Sequence, residues 1–294
     1  MHWVLLFLMA LLWGPSFLAI KYGLQEIPPL SLAAGRVVLA ALILYGIMRL
    51  KGNQFPRTFE FWKKFTIMGF LANALPFSML MIGETKAPSA LAAIFNGFTP
   101  VATAIIAHVV IAEERLTTKT FVGVVLGFSG ILLLFVPALT EGVSGNDRLT
   151  GLICFGVMAI SYGFSITYSR VALRGYPSFV GPTAQLLTAG VLLLPTALIF
   201  EWDQIVLPGI KSLSALLWLA VIATAIAYVV YYRMLEIAGA TFLSLVTFIL
   251  PPIGVILGVI FLGEHLSWYA IIGCLLILGG VGFVRNVGGA KTTE

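Results

Sequence analysis

Ten long apolar runs follow one another along the chain, separated only by short polar stretches. They lie near residues 3–21, 30–48, 64–82, 88–112, 119–137, 150–169, 179–200, 213–232, 240–262 and 267–284. A helix of about 20 apolar residues crosses the hydrocarbon core of a bilayer. Backbone groups in lipid must pair within their own segment, so each run is predicted to be a transmembrane helix. The predicted fold class is an all-α membrane protein with ten transmembrane helices, which we number spans 1 to 10.

Composition agrees with this pattern and excludes a large water-soluble domain. Hydrophobic residues make up 60% of the chain, charged residues only 10%, and the mean hydropathy is +1.05. A soluble domain carries about 25% charged residues, because it must cover a water-facing surface. The first run lacks a basic leader and a small-residue cleavage site, so we expect a retained span rather than a signal peptide. Cys154 and Cys274 fall inside spans and are expected to be buried thiols.

Arginine and lysine are concentrated on one side of the predicted bundle, the side that holds both chain ends. The twelve on that side are Arg49, Lys51, Arg57, Lys63, Lys64, Arg115, Lys119, Arg170, Arg174, Arg233, Arg285 and Lys291, against Lys21, Lys86, Arg148 and Lys211 on the other. Basic loops stay in the cytoplasm, so both termini are predicted to be cytoplasmic and the protein to be multi-pass in a bacterial inner (plasma) membrane. Basic residues beside spans indicate topology rather than a nucleic-acid partner.

The two halves of the chain resemble each other in sequence. Matched positions, at offsets of 149–152, are Trp13-Gly14-Pro15-Ser16-Phe17 with Tyr162-Gly163-Phe164-Ser165-Ile166, Lys21 with Arg170, Pro100 with Pro251-Pro252, Glu114-Arg115-Leu116-Thr117 with Glu264-His265-Leu266-Ser267, and Gly123 and Gly130 with Gly273 and Gly280. The predicted domains are residues 1–140 and 141–294. Five spans is an odd number, so the halves would enter the membrane from opposite sides, as in carriers with inverted repeats. Plain duplication of a structural bundle is the alternative.

Polar and aromatic residues recur on single faces of several spans. Polar groups in hydrocarbon need a partner or a wet cavity, so these faces are predicted to meet in a central pocket. The predicted substrate-binding residues are Trp13, Ser16, Asn73, Phe77, Phe95, Asn96, Thr99, Tyr162, Ser165, Tyr228, Tyr231, Thr247 and Phe248. Amides and hydroxyls suit a carboxylate and an ammonium, while Trp and Tyr rings suit an apolar side chain or a cation. Each could instead bond its own helix or pack against a neighbour.

Three of the prolines inside predicted spans, and one arginine, are further candidate functional residues. Proline bends a helix, so Pro100, Pro251 and Pro252 are predicted to be gating hinges, with a fixed packing kink as the alternative. Arg36 is the one unambiguous charge embedded in a span, and it serves either structure or contact with an anionic group. No Asp or Glu lies at the middle of a span, so coupling to protons is expected to be weak or absent.

The sequence does not contain the motifs of an enzyme. It has no P-loop pattern, and neither a serine nor a cysteine is paired with a histidine. The three histidines, His2, His108 and His265, are too dispersed for a metal site, and His108 is expected to be a packing residue. We therefore expect no catalytic residue, no metal and no cofactor. The expected partners are a small-molecule substrate and membrane lipid, with a functional monomer.

Taken together, several short elements resemble the EamA branch of the drug/metabolite transporter superfamily. They are Leu-Trp-Gly-Pro-Ser-Phe-Leu-Ala-Ile-Lys at residues 12–21, Arg36 in span 2, and Glu-x-Leu-Thr/Ser after spans 4 and 9. Within that branch the chain is similar to YddG-type exporters of aromatic and other neutral amino acids. The resemblance implies ten helices, cytoplasmic termini and a central cavity lined by spans 1, 3, 4, 6, 8 and 9, with spans 5 and 10 at the edge. Pro15 departs from the pattern, in which a small polar residue is more common.

These observations favour a carrier that exports small metabolites, foremost aromatic and other neutral amino acids, by alternating access through a central cavity. The alternative is a multidrug or organic-cation carrier, or a carrier of another metabolite, from the same superfamily. A cation carrier would favour an acidic residue in the cavity. A channel or an intramembrane enzyme is the third possibility, and the enzyme would need a catalytic pair that the sequence does not contain.

Overall fold

The computed structural model describes residues 2–87, 89–112, 114–134, 136, 146–173, 175–177, 179–253 and 268–283, and contains no strand within them. Its helices are α1 (His2–Trp13), α2 (Ser16–Gly23), α3 (Pro29–Leu50), α4 (Phe59–Gly69), α5 (Leu75–Lys86), α6 (Ser89–Asn96), α7 (Thr99–Val110), α8 (Thr118–Leu134), α9 (Asn146–Ala172), α10 (Val180–Glu201), α11 (Ile210–Leu217), α12 (Ala227–Ser244) and α13 (Trp268–Phe283). Residues 246–253 are also helical. Two π-helical stretches, Phe70–Ala74 and Trp218–Ile226, join α4 to α5 and α11 to α12, and a short 3₁₀-helix, Trp202–Gln204, follows α10.

Seven helical stretches of the described residues are long and apolar enough to cross a membrane. They are His2–Gly23, Pro29–Leu50, Phe59–Lys86, Leu91–Val110, Leu149–Ala172, Val180–Gln204 and Ile210–Ser244. Two shorter apolar helices, Thr118–Leu133 and Ile271–Phe283, coincide with predicted spans 5 and 10. The all-α membrane fold is thereby confirmed. Part of predicted span 9, together with the repeat element at residues 264–267, lies outside the described residues.

Several of the long stretches are broken at the level of the backbone. Gly14 and Pro15 separate α1 from α2, and Gly97 and Phe98 separate α6 from α7. The longest stretch is interrupted at Gly239, whose φ of 82° and ψ of 174° lie in a region open almost only to glycine. Broken and π-helical segments in membrane proteins occur where the backbone lines a cavity or is buried in protein.

Helices α8 and α13 pack against each other through glycines, which we call the glycine seam: Gly123, Gly127, Gly130, Gly273 and Gly280. A Cβ atom on Gly130 would lie 2.6 Å from the carbonyl oxygen of Gly273, and one on Gly280 would lie 2.5 Å from that of Gly123. The helices therefore touch backbone to backbone and run antiparallel. Small residues of this kind allow close approach in lipid, where burial of apolar surface supplies no driving force.

Enlarging one residue of the glycine seam is expected to loosen this contact. Gly280→Ala would place a methyl group 2.5 Å from both Gly123 and Gly127, and overpacking of this kind costs about 1–3 kcal/mol. We expect a lower midpoint of thermal unfolding in detergent. The control is the adjacent Gly279→Ala, whose added methyl group has open space around it. Equal effects of the two substitutions would contradict the seam geometry.

Candidate substrate site

A cavity with about 760 Å³ of empty space, including the part open to solvent, is lined by residues that range from Trp13 to Leu250 along the chain. Its lining includes ten predicted site residues: Trp13, Ser16, Phe77, Asn96, Thr99, Tyr162, Ser165, Tyr228, Tyr231 and Thr247. Apolar side chains complete the lining, namely Phe17, Ile20, Ala72, Leu80, Ile166, Leu243, Val246 and Leu250, together with Arg36. The structure thus brings together residues far apart in the sequence.

Aromatic rings on α1 and α12 form one wall of this cavity. The centroids of Tyr228 and Tyr231 lie 5.6 Å apart, and Trp13 lies 6.2 Å from Tyr231. Trp13 is fixed because its Nε1 donates a hydrogen bond of 2.9 Å to the carbonyl oxygen of Ala223, within a π-helical stretch. An anchored ring needs no reordering before it stacks on a ligand, which lowers the entropy cost of binding.

The hydroxyl groups of the cavity lining differ in whether they already have a hydrogen-bond partner in the protein. Ser165 Oγ donates to the carbonyl oxygen of Tyr162 in its own helix, and Thr247 Oγ1 donates to that of Ser244 at the end of α12, so both already have partners. Ser16 Oγ is buried and has no hydrogen-bond partner in the described part of the chain. A buried hydroxyl without a partner costs free energy. Ser16 is therefore available to a ligand or a water molecule.

Three predicted residues, Asn73, Phe95 and Phe248, lie outside the cavity lining. Asn73 belongs to a fully buried amide–phenol network: its Nδ2 donates to Tyr228 Oη at 2.5 Å, and its Oδ1 accepts from Gln185 Nε2 at 2.6 Å. The ring of Phe95 lies 6.3 Å from that of Phe155. The ring of Phe248 packs on Gly127 of the glycine seam.

Arg36 and Gln185 are polar residues of this region that the predicted site did not include. Gln185 accepts a hydrogen bond from Tyr232 and so connects α10 to α12. Gln185 could have been predicted, because it is an amide in the middle of an apolar run, as are Asn73 and Asn96, which were selected on that ground. The sequence singled out Arg36 as a charge, but gave no indication of which helices surround it.

The predicted hinge prolines are all buried in the bundle. Pro100 lies in the first turn of α7, directly after the break at Gly97 and Phe98, where proline removes no helical hydrogen bond. Pro251 and Pro252 lie within the helical residues 246–253. These positions are compatible with gating hinges and equally with fixed kinks.

Glu114 holds the start of the helix that follows Gly239. Its two carboxylate oxygens accept hydrogen bonds of 2.8 Å from the backbone N–H groups of Ala240 and Thr241. A carboxylate at a helix start satisfies unpaired N–H donors and interacts favourably with the helix dipole. Arg170 Nε lies 3.6 Å from the same carboxylate. We call Glu114, Arg170, Ala240 and Thr241 the Glu114 clamp.

Arg170 also holds the other side of the break at Gly239. Its Nη1 donates hydrogen bonds to the carbonyl oxygens of Leu235, at 2.7 Å, and Glu236, at 3.0 Å. A cation at the end of one helix and an anion at the start of the next thus stabilise the same interruption. Nearby, His108 Nδ1 accepts from the N–H of Leu116 at 3.0 Å, which is a packing role.

Comparison with known proteins identifies the family. The family model of EamA-like transporters matches the chain twice, over residues 2–136 and 149–286. The chain belongs to the EamA-like transporter family. The predicted membership of the EamA branch is therefore confirmed, and with it the assignment as a multi-pass membrane transporter. A solved crystal structure has the same fold, with a TM-score of 0.81, 19% identity and coverage of 97% of this chain and 96% of that one.

Two of three relatives of this EamA protein are named as transporters, and none of the three names gives a substrate. It is 25% identical to the uncharacterized transporter YoaV of Bacillus subtilis, over 92% of each chain. It is 26% identical to the uncharacterized inner membrane transporter YedA of Escherichia coli, over 90% of this chain and 85% of that one. The protein PagO of Salmonella typhimurium is 29% identical, over 95% of this chain and 90% of that one.

Proposed function

We propose that this EamA protein is a carrier that exports small amphiphilic metabolites, foremost aromatic and other neutral amino acids, by alternating access. The observation that carries the proposal is the cavity, in which an aromatic wall lies beside the unpartnered hydroxyl of Ser16. A ligand with an apolar body and a polar head fits such a lining, since rings cover the body and donors bind the head. No acidic side chain lines the cavity within the described residues, which favours this substrate class over organic cations.

We propose ten spans arranged as two inverted repeats, residues 1–140 and 141–294. The helices of spans 1 to 8 and span 10 are described, and span 9 would begin at Ala240 after the break at Gly239. The double match of the family model supports a duplication. The two π-helical stretches also lie at matching positions of the two halves, in Phe59–Lys86 and in Ile210–Ser244.

The glycine seam supports an inverted rather than a parallel relation between the halves. Gly123 corresponds to Gly273 in the other half, and Gly130 corresponds to Gly280. The contacts are crossed, because Gly123 meets Gly280 and Gly130 meets Gly273. A two-fold axis produces crossed contacts of this kind. For antiparallel helices that cross the membrane, this axis lies in the membrane plane, as in inverted repeats.

The Glu114 clamp lies on the side of the chain termini, where the start of the first helix packs beside it. On that side the rings of His2 and Trp3 pack edge-on against Phe242, next to the clamp. On the other side Lys21 and Glu84 line a separate opening, and Glu84 Oε1 is buried without a partner in the described residues. The basic loops favour cytoplasmic termini. A monomer would suffice, since one chain supplies the whole lining.

Counterflow in proteoliposomes tests the proposed function. Vesicles are loaded with unlabelled phenylalanine, and entry of external labelled phenylalanine, tyrosine, alanine or an organic cation is followed. Transient accumulation of the amino acids, but not of the cation, is expected, and Trp13→Ala should reduce it. Trp202→Ala is the matched control, because the ring of Trp202 is 71% exposed. No exchange of any amino acid would contradict the substrate class, and flux without saturation or counterflow would contradict a carrier.

A further inference from the structure

Arg36 is held rigidly at the edge of the cavity by neutral groups. Its side chain is only 4% exposed. Its Nε donates a hydrogen bond of 2.7 Å to Thr224 Oγ1, and its Nη2 donates one of 3.2 Å to the carbonyl oxygen of Ala223. The guanidinium carbon lies 4.1 Å from the ring centroid of Phe77. A hydroxyl, a carbonyl and an aromatic face therefore orient the guanidinium without neutralising its charge.

The charge of Arg36 has no counter-ion in the described part of the chain. No carboxylate there lies within salt-bridge distance of it, although other arginines on the same molecule do form ion pairs. Arginine stays protonated in proteins, so burial does not remove the charge. A buried charge without a partner is costly and is retained in a membrane protein mainly where it serves function.

Three residues with free hydrogen-bond donors line the same cavity. Arg36 Nη1 forms no hydrogen bond with the described residues, and neither does Asn96 Nδ2. Ser16 Oγ, on a residue that is 8% exposed, is likewise unpartnered. All three residues line the cavity, and its other walls are largely aromatic or aliphatic. The site therefore presents hydrogen-bond donors and one positive charge, surrounded by apolar surface.

We propose that Arg36 binds the carboxylate of the substrate and that this carboxylate, rather than an ammonium, is the group the site requires. Guanidinium pairs with carboxylate in a planar, two-bonded geometry. One guanidinium neutralises one negative charge, so a monocarboxylate matches the site better than a phosphate of about two charges. The inference rests on the proposed function for the location of the site, and it narrows the substrate to carboxylates with an aromatic or apolar body.

The inference is tested by binding, measured by isothermal titration of the purified protein in detergent. The ligands form a matched series: phenylalanine, with both head groups; 3-phenylpropionate, with the carboxylate only; and phenylalanine amide, with the ammonium only. Phenylalanine and 3-phenylpropionate are expected to bind, and the amide is expected to bind about tenfold or more weakly, the loss typical of a missing charge-assisted pair. Binding of the amide at the strength of the acid would overturn the proposal.

Variants of Arg36 separate recognition from structure. Arg36→Gln should weaken binding of both carboxylates about tenfold or more while leaving the midpoint of thermal unfolding of the empty protein unchanged or higher, because an unpaired charge is removed. Arg36→Lys should restore part of the affinity, since it restores the charge. Arg233→Gln, at an exposed arginine, is the control. Unchanged carboxylate binding in Arg36→Gln, or a lower midpoint with unchanged affinity, would show a purely structural role.

The outcomes also separate this inference from the proposed function. If amino acids fail to exchange in vesicles but 3-phenylpropionate binds and loses affinity in Arg36→Gln, the proposed amino-acid substrate fails and the role of Arg36 stands. If amino acids exchange and Arg36→Gln exchanges them with unchanged half-saturation, the carrier stands and the role of Arg36 fails. If wild-type protein binds neither carboxylate, the proposal for Arg36 is overturned.

Discussion

Glu114→Gln is expected to lower the free energy of unfolding by about 3 kcal/mol, the cost of breaking a buried charged contact. Glu114 is 8% exposed and accepts from two backbone N–H groups at once, at 2.8 Å each. A glutamine has the same shape, but it offers one oxygen and turns an NH₂ group towards the second donor. It also removes the charge that faces Arg170. Reversible unfolding in mixed micelles with increasing SDS measures the effect.

The matched control for this substitution is Glu236→Gln at the same end of the bundle. The Glu236 side chain is 64% exposed and pairs with Arg233, which is 54% exposed. Exposed pairs contribute about 0–1 kcal/mol, so the control should change the free energy of unfolding little. A loss in Glu114→Gln no greater than in Glu236→Gln would mean that the Glu114 clamp does not stabilise the fold.

Gly239→Ala is expected to be destabilising for two separate reasons. The backbone at Gly239, with φ of 82° and ψ of 174°, costs a residue with a side chain about 1–3 kcal/mol. In addition, the new Cβ atom would lie 2.7 Å from Glu114 Oε1 and would push the carboxylate off its donors. The free energy of unfolding should fall by more than strain alone explains, and counterflow activity should fall with it.

Two other glycines separate strain from collision. Gly52 has a φ of 74° with open space around it, so Gly52→Ala should show strain alone. Gly46 lies in α3, also with open space, so Gly46→Ala should be close to neutral. The loss in Gly239→Ala should moreover be non-additive with that in Glu114→Gln, because both disturb one contact. Full additivity of the two losses would contradict the proposed collision.

The secondary structure could largely be predicted from the sequence because lipid leaves the backbone few choices. Once a run is apolar and long enough, its hydrogen bonds must close within the run. The breaks inside the helices were harder to place. Proline marked the break at Pro15, but nothing local in the alanine-rich stretches Phe70–Ala74 and Trp218–Ile226 indicates π-helix. The second stretch also contains Thr224, whose contact with Arg36 on another helix could not be read from the local sequence.

Most residues of the candidate site could be predicted from the sequence, but the hydrogen bonds between them could not. Helical spacing selected faces, and ten of the selected residues line one cavity. Spacing does not show whether an amide meets a ligand or another side chain, and Asn73 finds its partners on α10 and α12. Glu114 was recognisable as a repeated motif, but its partners lie 126 and 127 residues away in the sequence. Such contacts depend on the packing of whole helices.

The backbone contact in the glycine seam has a mechanical consequence for the proposed carrier. Where two helices touch through main-chain atoms, no side chains have to repack when one helix turns against the other. In the proposed carrier, α8 and α13 would therefore change their angle about the contact of Gly130 with Gly273 without separating there. The glycine seam would then be the pivot about which the two halves rotate. The two ends of the cavity, which lie farther from this pivot, would open and close by larger distances.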